Sequence, residues 1–589
     1  MSLPIDDSSD SNSLVFCSGS SDTDGEGDLR SDSDSESESS ETVSIQGDIP
    51  KMPVSAARIM AGSEKYYELL STAPEGPKTI KEFAQMTRRL IKDFASDERV
   101  SGGQRRMNRL GAVVCKGLVI HHDFAGRQGY EMAFKQIQLE MARYGMPPNW
   151  LIFWRTSEPC KLSRKCIEQG NLAPEHSFQS IEKVFLSEVE CNMLQEKMDT
   201  RGETEEEKRS WSVQVEDWII QQTPRIFAKT SCTQNCTLHD GSCAVRWVDS
   251  RSESEKAITV ACGGPHCTPH CPGGRREGRL HKAYQPFRMF IGDHAEGNYD
   301  ISLIEQSSRF PPEMYAHPMR VKHKVVYAIF GSEDLGVPCY RTRFMGGGLN
   351  YASLVWVGPN VEDCTADFLE FVQAKAMVSS EVFARKDAPN MIEHTKKLYA
   401  RRTANVALHE PGVDVKDLLP LHAQGNYDAS CAKYMRGEKN GMIDGCAADV
   451  SQSESRMRMG PFLPTLQKSS IMVALPNKAE TLAGLNPQGH LFTCGELSFS
   501  QGWPTLEESP HPLRQALNYD LSAHGLAHQT RLLGDGMNLW CVEAWILYVL
   551  THTLRREAVE RFDPACDMRL LRVDQVPDEE MQEQFEYDL

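Results

Sequence analysis

The sequence of 589 residues has no apolar run near the roughly 18 residues that a membrane-spanning helix needs. Its longest apolar stretch, Leu539 to Leu550, is interrupted by Glu543 and therefore predicts a buried helix. The first residues, MSLPIDDSSDSN, lack the basic and apolar parts of a secretory signal peptide. With 40% hydrophobic residues, the chain can still build real cores. We therefore expect a folded protein without a membrane segment.

An excess of positive charge is also absent. The formal net charge is −18, and residues 1–50 account for −12 of it because they carry thirteen acidic side chains and one arginine. The rest of the chain has an ordinary balance, so charge neither supports nor excludes a nucleic-acid substrate. Eighteen cysteines in a chain of this size without a signal peptide favour reduced thiols, in the cytosol or the nucleus.

From residue 111 onward, strand-like and helix-like segments alternate, which predicts an α/β fold with a doubly wound, mostly parallel sheet. The first predicted elements are a strand at Gly111–Ile120, a helix at Tyr130–Tyr144 and a strand at Trp150–Trp154. Composition divides the chain into a disordered acidic, serine-rich tail (1–50), a helical extension (51–110), the α/β domain (111–345) with a charged, cysteine-rich insertion at about 186–256, an irregular segment (346–458), a compact unit (459–556) and an acidic tail (557–589).

The segment around Cys267 is the most informative part of the chain. A strand-like run, Ala257–Val260, leads into the tight turn Gly263-Gly264-Pro265, and Cys267 follows the turn. Such a position lies at the carboxyl edge of the sheet, where open α/β folds bind ligands. A cysteine there can act as a nucleophile if its thiolate is accessible. The alternatives are a buried structural thiol or a metal ligand together with the nearby histidines and cysteines.

A second loop, residues 122–129, joins a predicted strand to a helix and contains Gly126 and Gly129. Small residues there let a ligand approach the backbone and the helix N-terminus, although a tight turn alone would also use them. Glu158 follows the next strand, where an acid commonly accepts hydrogen bonds from ribose hydroxyls. The loop and the acid together predict a nucleotide-like cofactor.

Taken in order, these elements resemble the cytosine-5 DNA methyltransferase family over about 111–345 and 459–553. The matching segments are Phe124–Gly129 (Phe-x-Gly-x-Gly in the family), Gly263–Pro269 (Gly-Gly-Pro-Pro-Cys-Gln-Pro), Leu303–Ser307 (a strand ending in Glu-Asn-Val), Gly336–Arg343 (Gly-Val-Pro-Gln-x-Arg-x-Arg), Leu491–Pro504 (Leu-Thr-x-x-Glu, then Gln-Gly-Phe-Pro) and Leu533–Met537 (a Gly-Asn loop before the last helix). The resemblance implies a Rossmann-like methyltransferase fold that uses S-adenosylmethionine, with 346–458 as an inserted target-recognition domain and 459–556 returning to the catalytic domain.

The resemblance also implies roles for individual residues. Cys267 would add to carbon 6 of cytosine, Glu305 would contact nitrogen 3, and Arg341 and Arg343 would hold the base or the nucleophile loop. The residues implied for S-adenosylmethionine are Phe124, Ala125, Gly126, Gly129, Glu158, Pro265, Asp535 and Met537. A base inside a duplex is out of reach, so the target would have to be flipped out.

The partner implied is DNA, with RNA as the variant substrate, and the location implied is the nucleus, with the cytoplasm as the alternative. Several motif positions differ from the family: His266 replaces Pro, Gln306 replaces Asn, Cys339 replaces Gln, Gln128 replaces Gly and Asp535 replaces Asn. A catalytically silent protein that keeps the fold to bind nucleic acid or a partner therefore remains the rival hypothesis.

Zinc is the competing interpretation for the insertion. Cys232, Cys236, His239 and Cys243 have the density of a ligand set, but their spacing matches no standard zinc finger. We expect no metal at Cys267, because zinc there would remove the nucleophile. A site at 232–243 would be compatible with catalysis.

Overall fold

The computed structural model describes residues 72–227, 233–252, 255–267, 269–270, 277–385, 415–436, 445–452, 459–467, 470–483, 489–517 and 526–557. The predicted tail at 1–50, the first part of the helical extension (51–71), Cys232 and the acidic tail from residue 558 lie outside these residues.

The centre of the molecule is a seven-stranded sheet in the order β3-β2-β1-β6-β7-β9-β8. Six of the seven strands run in the same direction, and β9 lies antiparallel to its neighbours β7 and β8. From β1 the chain adds β2 and β3 on one side, and it then adds β6 and the later strands on the other side. The strand order therefore switches between β1 and β6. The strands are β1 (Leu118–Asp123), β2 (Leu151–Ser157), β3 (His176–Phe178), β6 (Ile258–Gly263), β7 (Ile301–Ser307), β8 (His323–Phe330) and β9 (Arg343–Asn350).

Helices cover both faces of this sheet, and short helical turns lie at 278–280, 332–334, 380–383 and 415–418. The helices are α1 (Ile80–Ala84), α2 (Met86–Ala95), α3 (Gly103–Val114), α4 (Gly129–Ala142), α5 (Lys161–Gln169), α6 (Ile181–Phe185), α7 (Glu188–Asp199), α8 (Glu205–Phe227), α9 (Tyr284–Glu296), α10 (Glu313–Met319), α11 (Thr365–Val372), α12 (Leu421–Met435), α13 (Lys478–Leu482), α14 (Cys494–Phe499), α15 (His511–Leu517), α16 (Leu526–Asp535) and α17 (Leu539–Thr551).

Local sequence explains several helix starts. Thr79 begins α1, Ser187 begins α7 and Thr493 begins α14, each with a glutamate three residues later that completes a capping box. The side chain of Asn538 caps α17 by accepting a hydrogen bond from Cys541 N at 3.2 Å. These caps satisfy amide groups that would otherwise lack partners at the first turn.

Two separate cores lie on the two faces of the sheet. On one face α2, α3, α4 and α17 pack against apolar side chains of β1, β6 and β7. On the other face α6, α8, α9 and α10 pack against β7, β8 and β9. Since parallel sheets need cover on both sides, this layering is what the alternating sequence pattern predicts. The predicted doubly wound, mostly parallel sheet is therefore confirmed.

The predicted strand at Gly111–Ile120 is wrong in its first half. Helix α3 continues to Val114, the chain turns at Gly117 with φ of 96°, and β1 occupies Leu118–Asp123. Leu110, Val113 and Val114 are buried on the face of α3 that packs beside α17. A short apolar run fits a buried helix as well as a buried strand, and packing decided between them here.

The segment at 346–458, predicted as one unit, is divided in the structure between the main body and a smaller unit. Most of β9 and all of α11 lie in it and pack within the main body. A smaller unit at 415–491 combines α12 with the sheet β12-β11-β13-β14 and passes the predicted boundary at 458. Its strands are β11 (Ala447–Asp449), β12 (Met459–Gly460), β13 (Met472–Ala474) and β14 (His490–Leu491).

Two further strand pairs complete the structure. The predicted insertion contains α7, α8 and a hairpin of β4 (Thr233–Cys236) with β5 (Gly241–Ala244). Near the C-terminus β15 (Thr553–Arg555) pairs with β10 (Leu354–Trp356). The predicted buried helix is α17, in which every side chain, Glu543 included, is buried. In the part of the chain that the structure covers, no helix is long and apolar enough to cross a membrane.

Candidate active site

The loop after β1 lies where the sheet reverses its strand order, the position at which open α/β sheets bind ligands. Three of its residues have left-handed backbone: Phe124 with φ of 54°, Gly126 with φ of 54° and Gln128 with φ of 64°. Only glycine adopts this conformation without strain, so the positions of Phe124 and Gln128 carry a cost. The Gln128 side chain anchors the strained turn, because its Nε2 donates to Leu172 O at 2.8 Å.

Glu158, at the end of β2, supports this loop. Its Oε2 accepts a hydrogen bond from Gly126 N at 2.7 Å, and its Oε1 accepts one from Cys160 N at 2.8 Å. Burial raises the pKa of Glu158, while the two backbone hydrogen bonds act in the opposite direction. A carboxylate oxygen can accept a second hydrogen bond, so Glu158 can still receive a ribose hydroxyl.

The loop between α16 and α17, called the last loop below, lies against the loop after β1. A side chain built at Gly129 would meet Met537 Sδ at 2.9 Å, and one built at Gly126 would lie 4.0 Å from Asp535 O. Glycine is therefore required at Gly129 by the close approach of Met537. Asp535 itself is exposed, and its charge opposes ionisation of Glu158, so the two acids are near each other.

The loop that carries Cys267 follows β6, which lies beside β1 in the sheet. We call it the nucleophile loop after its predicted role. Cys267 is exposed, while Pro265 is buried. Gln306 Nε2 donates a hydrogen bond to Pro265 O and so fixes the backbone of the turn. The ring of His266 contacts the ring of Phe124 edge to face, with centroids 6.0 Å apart. The predicted cofactor loop and the predicted nucleophile loop are thus in direct contact.

Glu305 faces the same turn from β7. Its Oε1 forms an ion pair with Arg343 Nε at 2.7 Å, across the antiparallel pair of β7 and β9. Its Oε2 lies 3.4 Å from the position that a Cβ at Gly264 would occupy. One oxygen of the carboxylate is therefore held by arginine, and the other points toward the loop that carries Cys267.

Arg341 binds the loop before α17. It is 3% exposed, and its Nη2 donates to the carbonyl oxygens of Gly536 and Gly534. Its Nε and Nη1 are buried without a hydrogen-bond partner among the described residues. Burial lowers the pKa of Arg341 to about 10, and the charge of Arg343 acts in the same direction, whereas Glu305 and Cys267 favour the cation. Arg341 is thus a buried positive charge that interacts with Cys267.

The structure brings together the predicted residues Cys267, Glu305, Arg341 and Arg343, and it places the predicted cofactor residues along the adjoining loops. Sequence reasoning missed two contributors. Gln306 was noted only as a departure from the family motif, yet its amide holds the nucleophile loop. Glu333 was not singled out, yet its Oε1 accepts from Thr342 Oγ1 at 2.9 Å and its Oε2 accepts from Arg341 N at 3.3 Å. No local motif marks Glu333 because its partners lie eight and nine residues away.

The cofactor implied by the resemblance is S-adenosylmethionine, and the observed residues fit it. Gly126 has no side chain and open space beside it, so that ligand atoms can approach the loop near the N-terminus of α4, whereas Gly129 leaves room for Met537. Glu158 offers carboxylate acceptors for hydroxyl groups. Met537 and Phe124 supply apolar surface on either side of the loop.

No family model matches the chain, and no curated protein matches it. The similarities found are to solved structures. A DNMT2 mutant from Spodoptera frugiperda has 12% identity over 74% of this chain and 99% of its own, with a TM-score of 0.34. The S. pombe Dnmt2 methyltransferase has 12% identity over 74% and 98%, with a TM-score of 0.35. The Entamoeba histolytica methyltransferase EhMeth has 11% identity over 76% and 99%, with a TM-score of 0.36. At such TM-scores these likenesses carry no weight for function.

Proposed function

We propose that this protein methylates carbon 5 of cytosine in DNA, with S-adenosylmethionine as the methyl donor and Cys267 as the covalent nucleophile. The observation that carries the proposal is the convergence of three chain segments at one sheet edge. Arg343 holds Glu305 Oε1 at 2.7 Å, Glu305 Oε2 faces the turn before Cys267, and the Phe124 ring contacts His266 in that turn.

The cofactor would be held by the loop from Phe124 to Gly129 and by Glu158, with the last loop at Asp535 and Met537 above them. Bound there, S-adenosylmethionine supplies an electrophilic methyl group for carbon 5. The chain contributes the orientation: Gln128 anchors the loop, and Glu158 fixes the Gly126 amide. Met537 lies against Gly129 and so holds the loop before α17 next to the cofactor loop.

The protein's own chemistry begins at the thiolate of Cys267. Its sulfur forms a bond to carbon 6 of cytosine, and the electron pair of the ring double bond moves toward carbon 5 and nitrogen 3. A proton taken up from solvent at nitrogen 3 would balance the charge on the ring and donate a hydrogen bond to the Glu305 carboxylate, which Arg343 keeps oriented. Carbon 5 would then form its bond to the methyl group, with the neutral thioether of the spent cofactor as the leaving group. Water would remove the proton from carbon 5, and the freed electron pair would re-form the double bond as the sulfur–carbon bond breaks and releases the thiolate.

Two features support a large substrate. Cys267 is exposed at the surface of the sheet edge, so a flipped-out nucleotide can reach it. The small unit at 415–491 overlaps the C-terminal part of 346–458, where the family resemblance expects a target-recognition domain, and we assign it that role within the proposal. Residence in the nucleus follows from a DNA substrate.

The test is a methyl-transfer assay with isotopically labelled S-adenosylmethionine and cytosine-containing duplex DNA. The product is digested to nucleosides, and 5-methylcytosine is measured by mass spectrometry. The proposal predicts label in 5-methyldeoxycytidine for the wild type and none for Cys267→Ala. Cys115→Ser is the matched control, since Cys115 is also an exposed cysteine and lies away from the loop.

Three other outcomes would change the proposal. Label in RNA but not in DNA would keep the chemistry and overturn the substrate. Binding of S-adenosylmethionine without methyl transfer to either nucleic acid would favour the silent binding protein. Equal transfer by Cys267→Ala would exclude the covalent mechanism.

A further inference from the structure

A cluster of metal-ligating side chains lies outside the candidate active site, at the outer edge of the main sheet. One ligand atom from each of His176, Cys236, His239 and Cys243 lies within 4.8 Å of every other. Both cysteines are thiols in the structure. Two sulfurs and two imidazoles form one of the standard ligand sets for structural zinc.

Three of these residues belong to the hairpin of β4 and β5. Cys236 ends β4, Cys243 lies in β5, and His239 lies in the turn between them, where Asp240 has φ of 47°. His239 Nδ1 is 3.7 Å from Cys236 Sγ and 3.2 Å from Cys243 Sγ. With usual zinc–ligand distances, neighbouring nitrogen and sulfur ligands of a tetrahedral site lie about 3.5 Å apart. The hairpin therefore holds three ligand atoms near the spacing that the ion requires.

The fourth residue, His176, comes from β3, the edge strand of the main sheet. Its ring contacts the ring of His239 edge to face, with centroids 5.3 Å apart. Its Nδ1 is buried and has no hydrogen-bond partner among the described residues, and a buried nitrogen of this kind is costly unless something binds it. The ring of Trp154 also contacts this imidazole edge to face, with centroids 4.5 Å apart.

Hydrogen bonds already attach the hairpin to β3 and to α5. Thr237 N donates to Ser177 O at 2.8 Å, and Thr237 Oγ1 donates to Glu168 Oε1 at 2.8 Å. Ser177 and Thr237 are 60 residues apart in the chain. A shared ion at this point would therefore join the charged insertion to the edge of the sheet and close a long loop.

We propose that His176, Cys236, His239 and Cys243 bind one structural zinc ion. All four ligands come from the protein, so the site is closed and has no position for a reacting water. Cys236 and Cys243 bind as thiolates, and their two protons are released to solvent on binding. The fourth ligand is His176, not Cys232, which sequence spacing alone would place in the set.

In this proposal the ion stabilises the hairpin and the chain segment that follows it. The chain after β5 enters the buried core, where Val245 O accepts from Arg155 Nη1 at 3.4 Å and Arg246 Nη2 lies 2.7 Å from Asp293 Oδ1. Arg155 also pairs with Asp123, the residue before the cofactor loop. Fixing the hairpin therefore fixes the segment that completes this buried ion network.

The test uses the full-length protein, purified without a metal-affinity tag and under reducing conditions. Inductively coupled plasma mass spectrometry should find about one zinc per chain. After exchange with Co2+, absorption bands of tetrahedral cobalt and a thiolate-to-cobalt charge-transfer band should appear. This spectral measurement needs no mutant, so it is independent of any folding defect.

Four variants and two controls assign the ligands. Cys243→Ser and His176→Ala should each bind less zinc than the wild type, and a variant with both substitutions should bind none. Cys232→Ser and Cys115→Ser should keep it. His176→Cys should restore binding, because thiolate is also a zinc ligand.

Metal-free wild-type protein that gives no cobalt spectrum would overturn the proposal. So would a disulfide between Cys236 and Cys243 that forms in the purified protein and excludes metal. Loss of zinc in Cys232→Ser with full retention in His176→Ala would overturn the assignment of the fourth ligand. None of these results depends on methyl transfer, so they test the zinc site separately from the proposed catalysis.

Discussion

The carboxylate of Glu305 and the guanidinium of Arg343 form an ion pair in which Oε1 and Nε are 2.7 Å apart. The pair crosses from β7 to β9 at the edge of the sheet where the nucleophile loop lies. Because Arg343 binds only one of the two carboxylate oxygens, the other remains turned toward Gly264. In the proposed reaction Glu305 contacts the base, and Arg343 positions Glu305.

The first prediction follows from this division of roles. Glu305→Gln should lower the rate of methyl transfer about 10²–10³-fold, since it removes a charge that stabilises the reacting ring. Arg343→Ala should lower it by about 10²-fold through misplacement of Glu305. Both rates are measured in single-turnover assays with labelled S-adenosylmethionine. Arg320→Ala, which breaks an exposed ion pair with Glu313 and Glu362, is the control and should leave the rate unchanged.

The second prediction concerns backbone strain in the cofactor loop. Gln128→Gly and Gln128→Ala both remove the hydrogen bond to Leu172 O, but only glycine suits the φ of 64°. Gln128→Gly should therefore be more stable than Gln128→Ala by about 1 kcal/mol. Urea unfolding of the two variants measures the difference. A Gln128→Ala variant as stable as Gln128→Gly would show that the loop does not hold this conformation in solution.

The third prediction concerns the buried ion network behind the site. Arg155 Nη2 lies 2.9 Å from Asp123 Oδ2 and 3.0 Å from Asp293 Oδ2, and all three side chains are fully buried. Arg155→Met should lower the free energy of unfolding by about 3–5 kcal/mol, because it leaves the buried Asp123 without a cation and Asp293 with Arg246 alone. Arg251→Met, which breaks an exposed pair with Asp249, should change the stability far less.

The pH dependence of Arg155→Met provides a check. Burial already raises the pKa of Asp123, and removing Arg155 takes away the charge that opposes this shift. An acid with a raised folded-state pKa destabilises the fold as pH rises above its unfolded-state value. The loss of stability relative to wild type should therefore be larger at pH 8 than at pH 5. Equal losses at both pH values would contradict this account of the network.

The fourth prediction concerns Glu543, which is buried in α17 and accepts a hydrogen bond from Thr87 Oγ1 at 2.8 Å. Burial raises the pKa of Glu543 well above its ordinary value of 4.5. The unfolded chain therefore releases this proton at lower pH than the folded chain does, and stability falls as pH rises from about 4.5. Glu543→Gln should be more stable than wild type at pH 8, and the difference should shrink toward pH 5.

Urea unfolding at several pH values measures this difference. Glu296→Gln is a control at an exposed ion pair with Lys322 and should follow the wild-type pH profile. A wild-type protein whose stability relative to Glu543→Gln does not change with pH would contradict the buried, protonated state of Glu543.

Sequence patterns predicted the class of fold and much of the candidate site. Strand ends place functional residues at one edge of a parallel sheet, so Glu158, Cys267 and Glu305 could be assigned to a common region before the structure was known. The resemblance also identified Gln128 as a departure from glycine, and its φ of 64° gives the physical reason why glycine suits that position.

Other features depend on contacts between distant parts of the chain, which no local pattern contains. His176 joins the cysteine hairpin only because β3 lies at the edge of the sheet beside it. Gln306 and Glu333 act through the backbone of other loops. The strand predicted at Gly111–Ile120 is partly helical because α17 packs along α3.

The central claim is that Cys267 forms a covalent bond with cytosine, and a trapping experiment tests it most directly. Wild type and Cys267→Ala are incubated with S-adenosylmethionine and duplex DNA that contains 5-fluorocytosine, from which the proton at carbon 5 cannot be lost. The account predicts a denaturant-resistant complex for wild type, with the mass of protein plus methylated DNA and the modification at Cys267. The same complex with Cys267→Ala, or no complex from folded wild-type protein that binds both ligands, would contradict it.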